Sequence, residues 1–299
     1  MIDPSPAVRV VFLGGLGRSG STLLERLLGE LPGVAPLGEV AHLWARGVLA
    51  GEPCGCGEPF PDCPFWRKVG ERAFGGWTGP LAERVLALRH RVDRTRRVLR
   101  IGHPDLAEYV ETYRRVYDAA AEVADARVVI DSSKHASLAH CLAAGGADLH
   151  VVQVVRDPRA VAHSWRKTVE RPEDGRPMTR WGSGRTALHW TAQNLALDLL
   201  ARRGAPVTRI RYEDLLAAPR ATLADLAGRL GLRTELPFIT GSTACLTMAH
   251  TASGNPMRFT VGRVELALDD TWRSGSRRRL VAALTWPLRS RYGYRGVAV

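Results

Sequence analysis

Two short stretches of the chain carry residue types and spacings suited to anion chemistry. The first is Gly14-Gly15-Leu16-Gly17-Arg18-Ser19-Gly20-Ser21-Thr22. It follows a short apolar run, Val8–Leu13, that reads as a buried strand. Leu23, Leu24, Leu27, Leu28 and Leu31 then recur at helical spacing until Pro32-Gly33 stops the pattern. A glycine-rich turn between strand and helix offers backbone N–H groups and the positive helix end to a phosphate. Gly15-x-x-x-x-Gly20-Ser21-Thr22 comes close to the nucleotide-triphosphatase loop, but Ser21 stands where that chemistry needs Lys, and Arg18 sits inside the loop instead. The Lys and the Mg²⁺ held by the next hydroxyl neutralise the β- and γ-phosphates in phosphoryl transfer, so their absence counts against a kinase.

The second stretch is Val154-Val155-Arg156-Asp157-Pro158-Arg159-Ala160-Val161-Ala162-His163-Ser164. Arg156 ends an apolar strand, and Asp157 with Pro158 opens a helix over 157–169. The guanidinium of Arg156 can fork onto a phosphate, and Ser164, two turns into that helix, can face the same ligand. The plainer reading is a surface Arg-Asp pair at a helix start.

The elements that must position these residues alternate between strand and helix. Beyond Val8–Leu13, apolar runs at Arg127–Ile130 and Leu149–Val155 read as strands, and Val207–Ile210 reads as a fourth. Helical spacing is expected at about 81–100, 104–125, 136–144, 185–203 and 219–231, whereas 45–80, rich in Gly, Pro, Cys and Trp, reads as an irregular excursion. This order predicts an α/β fold, a P-loop-like parallel sheet with helices on both faces and irregular lid or insert segments. A single domain over 1–299 is expected, with an insert or lid at approximately 45–125, a mobile loop at 172–184 and an irregular stretch at 240–262.

Together these features make the chain similar to the sulfotransferases that use 3′-phosphoadenosine 5′-phosphosulfate (PAPS), closest in motif to the carbohydrate and protein-tyrosine branch. Arg18-Ser19-Gly20-Ser21-Thr22-Leu23 resembles that family's 5′-phosphosulfate loop, and Arg156 with Ser164 resembles its 3′-phosphate motif. The resemblance implies sulfuryl transfer from PAPS to a hydroxyl or amine, with release of adenosine 3′,5′-bisphosphate. It also implies that Gly17, Arg18, Ser19, Gly20, Ser21, Thr22, Arg156 and Ser164 bind the nucleotide, Arg18 also serving the chemistry as the loop cation. Glu39, in Leu37-Gly38-Glu39-Val40, then corresponds to the general base, and Lys134, in Asp131-Ser132-Ser133-Lys134-His135, to the leaving-group cation. His135 competes with Glu39 for the base role. Tyr212, in Arg211-Tyr212-Glu213-Asp214-Leu215, corresponds to a tyrosine near the adenine, or is a core tyrosine. Arg258 either reaches the phosphates or lies in a plain surface loop. Trp181, His189, Trp190 and Asn194 are candidates for the acceptor pocket, with core packing the better reading of Trp190.

Composition bounds the rest. Of 299 residues 45% are hydrophobic and 24% charged, as in a folded globular chain, and no apolar run is long enough to span a membrane. The N-terminus lacks the pattern of a secretory signal, so a cytoplasmic location is expected. The 42 basic against 30 acidic residues, net +12, favour polyanionic partners and leave a non-catalytic polyanion-binding protein as an alternative beside the P-loop kinase or nucleotide hydrolase. No nucleic-acid motif is present, and a small-molecule or glycan acceptor is expected. The sequence leaves the oligomeric state open. Cys54, Cys56 and Cys63 cluster in CGCGEPFPDC, and zinc with His42 as a fourth ligand is conceivable. No second Cys or His pair completes a recognised spacing, so no metal is assigned and none is expected to be required.

Overall fold

The protein is described here by a computed structural model, which describes residues 8–100, 102–170, 175–274 and 278–294. Strands β1 (Arg9–Gly14), β2 (Val34–Pro36), β3 (Val128–Lys134), β4 (Leu149–Val155) and β5 (Val207–Arg211) form one sheet in the order β2-β3-β1-β4-β5. Every pairing in it is parallel. The near-continuous apolar character of β1 and β4 follows from burial on both faces. Successive residues of β1 alternate between two cores: Val10 and Phe12 join Val129 and Val151 on one face, and Val11 and Leu13 join Ile130, Val152 and Val154 on the other.

Helix α1 (Ser21–Leu28) returns the chain from β1 to the edge strand β2, burying Leu24, Leu27 and Leu28 in the second core. The chain then runs through a short α2 (Val40–His42) and a π-helical turn, Leu43–Leu49. Helices α3 (Pro64–Phe74), α4 (Gly79–Val92) and α5 (Leu106–Val123) follow and pack on the first face. The stretch expected to be irregular at 45–80 therefore contains α3. Its periodicity is masked because Trp66, Val69, Gly70 and Ala73 give a buried face that includes a glycine packed on Trp77. Trp44, Trp66 and Tyr113 lie fully buried on this face, and of the described residues in the insert or lid expected at approximately 45–125 only Arg46 and Thr95 line the main cleft.

Helix α6 (Ala136–Ala144) joins β3 to β4, and α7 (Pro158–Arg166) and α8 (Ser183–Arg202) lead from β4 to β5. Of the loop expected at 172–184, residues 172–174 lie outside the described residues. After β5 come α9 (Tyr212–Ala217) and α10 (Pro219–Arg229). The stretch expected to be irregular at 240–262 holds most of a small antiparallel sheet, β6 (Ile239–Thr240), β7 (Thr243–Leu246) and β8 (Gly262–Glu265). Its strands are two to four residues long, too short to register as periodicity. Helices α11 (Arg278–Leu284) and α12 (Trp286–Arg291) close the described chain. No described helix is long and apolar enough to cross a membrane.

The connection from β1 crosses to one side of the sheet and the connection from β4 to the other. A crevice therefore opens at the carboxyl ends of these adjacent strands, the position at which open α/β sheets bind ligands.

Candidate functional site

That crevice is a cleft of about 850 Å³. At one end lies the turn between β1 and α1. Gly20 is the N-cap of α1 with φ 94°, and no side chain caps the helix. The N–H groups of the first turn thus have no intrahelical acceptor and face the crevice. A Cβ on Gly20 would overlap the Tyr212 ring, so glycine is required both by the left-handed backbone and by the tyrosine packed beneath it. Gly17, Arg18, Gly20, Ser21 and Thr22 all line the cleft. Ser19 does not: its hydroxyl is buried without a hydrogen-bond partner, and its N–H donates to Leu16 O at 3.2 Å.

Arg18 occupies a left-handed conformation (φ 73°), and burial lowers its pKa while Glu39 raises it. Its guanidinium lies 5.6 Å from the Trp165 ring, and Trp165 in turn donates to Gly17 O at 2.9 Å and stacks on Trp181 at 4.0 Å. Arg156, at the end of β4, donates to Arg18 O at 3.3 Å and sits 4.6 Å over Tyr212. Ser164 of α7 also lines the cleft. The two stretches singled out in the sequence, 138 residues apart, thus form one wall. Glu213, to which no role was assigned from sequence, braces the second stretch by accepting the Asp157 N–H at 3.0 Å and the Tyr294 hydroxyl at 2.6 Å.

Beside this turn, where the Gly15 N–H donates to Lys134 O at 3.1 Å, Glu39, His42, Lys134 and His135 converge. The Lys134 ammonium donates to Glu39 Oε1, and His42 Nε2 lies 3.6 Å from Glu39 Oε2. Burial pushes the Glu39 carboxyl up, but Lys134 and His42 outweigh it and hold the group at about 2. Burial holds His42 down at about 3 and also lowers His135, so both rings are neutral near pH 7. Their ring centroids are 5.7 Å apart. His42 is a site residue that the sequence reading placed elsewhere, as a conceivable zinc ligand. Its position one helical turn after Glu39 is the signal that could have found it.

A buried polar layer fixes this cluster. Glu25 of α1 accepts the Gly38 N–H at 2.6 Å and the Ser132 hydroxyl at 2.7 Å. Asp131 accepts the Tyr117 hydroxyl and the Ser133 N–H, each at 2.7 Å, and Ser133 Oγ accepts the Ala41 N–H at 2.8 Å. Burial raises Glu25 to about 7 and Asp131 to about 6. Gly38 has φ 81°, and a Cβ there would overlap the Ala252 carbonyl, which accepts the Glu39 N–H at 2.8 Å.

Arg258 corrects the sequence expectation. It does not line the cleft and is no surface residue: it is 1% exposed, donates to Pro53 O at 2.7 Å and Thr251 O at 3.2 Å, and accepts from Arg26 at 2.6 Å through its carbonyl. A guanidinium saturating loop carbonyls reads in sequence like one waiting for phosphate. Trp181 and His189 line the cleft, whereas Trp190 and Asn194 are buried behind it, Trp190 donating to Arg156 O at 3.1 Å and Asn194 to Trp190 O at 2.8 Å.

The cysteines assemble apart from the cleft. Cys54, Cys56 and Cys63 meet His250, with all four ligand-capable atoms within 4.8 Å of one another. The fourth member is thus His250, not His42.

No protein-family model matches the chain, and no curated protein matches it significantly. Among solved structures it is similar to the sulfotransferase domain of the Synechococcus PCC 7002 olefin synthase. The TM-score is 0.57 at 20% identity, over 99% of this chain and 98% of that one. It is also similar to the sulfotransferase domain from the curacin biosynthetic pathway, with a TM-score of 0.51 at 17% identity, over 94% of this chain and 98% of that one. These likenesses establish the fold: a five-stranded parallel α/β sheet flanked by helices, as in sulfotransferases.

Proposed function

We propose that the protein is a PAPS-dependent sulfotransferase that transfers a sulfuryl group to a hydroxyl or amine of a small-molecule or glycan acceptor. The observation that carries this reading is the contact of Arg156 with Arg18 O, which sets two guanidinium groups on one wall of a cleft that Glu39 and Lys134 also line. The residues fit the nucleotide. The uncapped α1 N-terminus suits the 5′-phosphosulfate, Arg156 and Ser164 suit a 3′-phosphate, and Tyr212, which lines the same cleft, is an aromatic neighbour for an adenine. The cleft volume is that of a nucleotide-sized site. Ser21 in the place of the P-loop lysine disfavours ATP.

When bound, PAPS supplies a sulfuryl group already activated on a phosphate leaving group. The chain's part is orientation and charge. Arg18 and the first-turn N–H groups of α1 neutralise the 5′-side anion, while Arg156 and Ser164 fix register through the 3′-phosphate. Lys134 is the second cation at the reacting end. Its ion pair with Glu39 is made in the free protein, and an anion drawing Lys134 away leaves the Glu39 carboxylate free to accept the acceptor's proton. His135, neutral and on the same wall, is the competing base.

Calorimetric titration with adenosine 3′,5′-bisphosphate and with ADP, each with and without Mg²⁺, tests the reading. Tight, Mg²⁺-independent binding that requires the 3′-phosphate is the expected result. Preference for ADP with Mg²⁺ would overturn it in favour of a kinase or nucleotide hydrolase. Binding of neither, with salt-sensitive retention on heparin, would favour a polyanion-binding protein.

A further inference from the structure

We infer that Cys54, Cys56, Cys63 and His250 form a structural zinc site that pins the backbone behind Glu39. Three distances within the cluster are close to the edges of a tetrahedral zinc centre. Cys56 Sγ lies 3.8 Å from Cys63 Sγ, and His250 Nδ1 lies 3.3 Å from Cys63 Sγ and 3.8 Å from Cys54 Sγ. Zinc bonds of about 2.3 Å to sulfur and about 2.0 Å to nitrogen require edges of about 3.8 Å between sulfurs and about 3.5 Å from sulfur to nitrogen. None of the three cysteines is in a disulfide, and Cys54 and Cys63 are buried. The His250 ring is held in plane by stacking on Phe65, 5.2 Å away and tilted by 11°.

The backbone is shaped to present these atoms. Cys54 N–H donates to Glu58 O and Gly57 N–H to Cys54 O, each at 2.8 Å, folding 54–58 into a tight knuckle. Cys63 is the N-cap of α3. Three thiolates and an imidazole make a soft donor set that selects zinc over hard cations, and four protein ligands leave no open position for catalysis. On binding, the thiol protons pass to solvent and nothing is oxidised or reduced.

The fourth ligand ties the knuckle to the reaction centre. His250 precedes Thr251, whose carbonyl accepts the Gly55 N–H at 2.9 Å, and Ala252, which exchanges hydrogen bonds with Leu37 and Glu39, both at 2.8 Å. Gly254 follows, so close to the Glu39 carboxylate that a Cβ there would lie 3.3 Å from Oε1. The metal therefore staples the 250–254 segment in place, and this positioning role, unlike the metal site itself, rests on the proposed function.

The test is metal content of the full-length protein purified without chelator, read by inductively coupled plasma mass spectrometry, followed by substitution with Co²⁺. One zinc per chain and a thiolate-to-cobalt charge-transfer band are expected. Cys56→Ser and His250→Ala should each weaken zinc retention at least tenfold in competition with a chromophoric chelator, while Cys245→Ser, an exposed cysteine outside the cluster, should retain wild-type content. Wild-type protein that takes up neither zinc nor cobalt, its cysteines titrating as free thiols or as a disulfide, would overturn the assignment whether or not any variant folds. Adenosine 3′,5′-bisphosphate binding reports separately on the proposed function: zinc without nucleotide binding sinks that reading alone, and nucleotide binding without zinc sinks only the metal site.

Discussion

Lys134 and Glu39, 95 residues apart in sequence, form an ion pair at the end of the cleft, Lys134 from a left-handed residue (φ 71°) at the end of β3 and Glu39 from the loop after β2. Two cleft residues outside glycine, Arg18 and Lys134, share this uncommon conformation, and both are cations aimed at the same cavity. Strained backbone concentrated at a site marks side chains held for a purpose.

Glu39→Gln should slow transfer by about 10²- to 10⁴-fold, the usual contribution of a general base, while leaving adenosine 3′,5′-bisphosphate affinity within a few-fold of wild type. Because the Glu39 carboxyl is held at about 2 while Lys134 is paired with it, kcat/KM, which reports the free protein, should be flat through neutral pH if this residue is the base. An ionisation limb below the ordinary histidine value of 6.5 that disappears in His135→Asn would move the role to His135.

Arg156→Ala should weaken adenosine 3′,5′-bisphosphate binding by about 10- to 100-fold, since hydrogen bonds to charged groups contribute about 1.5–3 kcal/mol. The preference for that ligand over 5′-AMP should disappear with it. Arg156→Lys should restore little of it, because a point charge cannot reproduce the planar fork. Unchanged discrimination in calorimetry would remove Arg156 from the 3′-phosphate.

Gly33 and Gly38 separate backbone strain from crowding. Both have positive φ, 75° and 81°, but nothing lies near a Cβ on Gly33, while one on Gly38 meets the Ala252 backbone. Urea denaturation should show Gly33→Ala costing about 1–2 kcal/mol from conformation alone. Gly38→Ala should cost clearly more and also impair transfer, because the Ala252 carbonyl that would be displaced anchors Glu39.

Glu25 should make stability pH-dependent. Its folded pKa of about 7 stands above the ordinary 4.5. Below 4.5 both folded and unfolded chains are protonated and nothing is lost. Between 4.5 and 7 the unfolded chain ionises while the folded one resists, so stability falls as pH rises, by about 3 kcal/mol at the limit. Glu25→Gln keeps an acceptor for the Gly38 N–H and removes this penalty. Its Tm relative to wild type should rise between pH 4.5 and pH 8, and a constant difference would show that Glu25 does not titrate in this window.

The wall formed by Arg18, Gly20, Arg156 and Ser164 was legible in the sequence because its signals are local. Glycines at fixed offsets follow an apolar strand, and a cation ends another strand eight residues before a serine. Each is set by the geometry of one strand and one helix, so Arg18, Gly20, Arg156 and Ser164 could be read without the rest of the chain. Strands β1, β3 and β4 declared themselves for the same reason, since burial on both faces leaves continuous apolar runs, whereas β5 is an edge strand in which only Ile210 is buried. The three-residue β2 and the small antiparallel sheet have no such length and owe their place to pairing partners far away in sequence. Only the tertiary structure decided that His42 belongs with Glu39, that His250 belongs with the cysteines 187 to 196 residues before it, and that Arg258 bonds loop carbonyls instead of facing the cleft. A side chain's type states which bonds it can make. Which partner it meets depends on chain crossings between distant segments, and hydrophobic burial over the whole sheet fixes those.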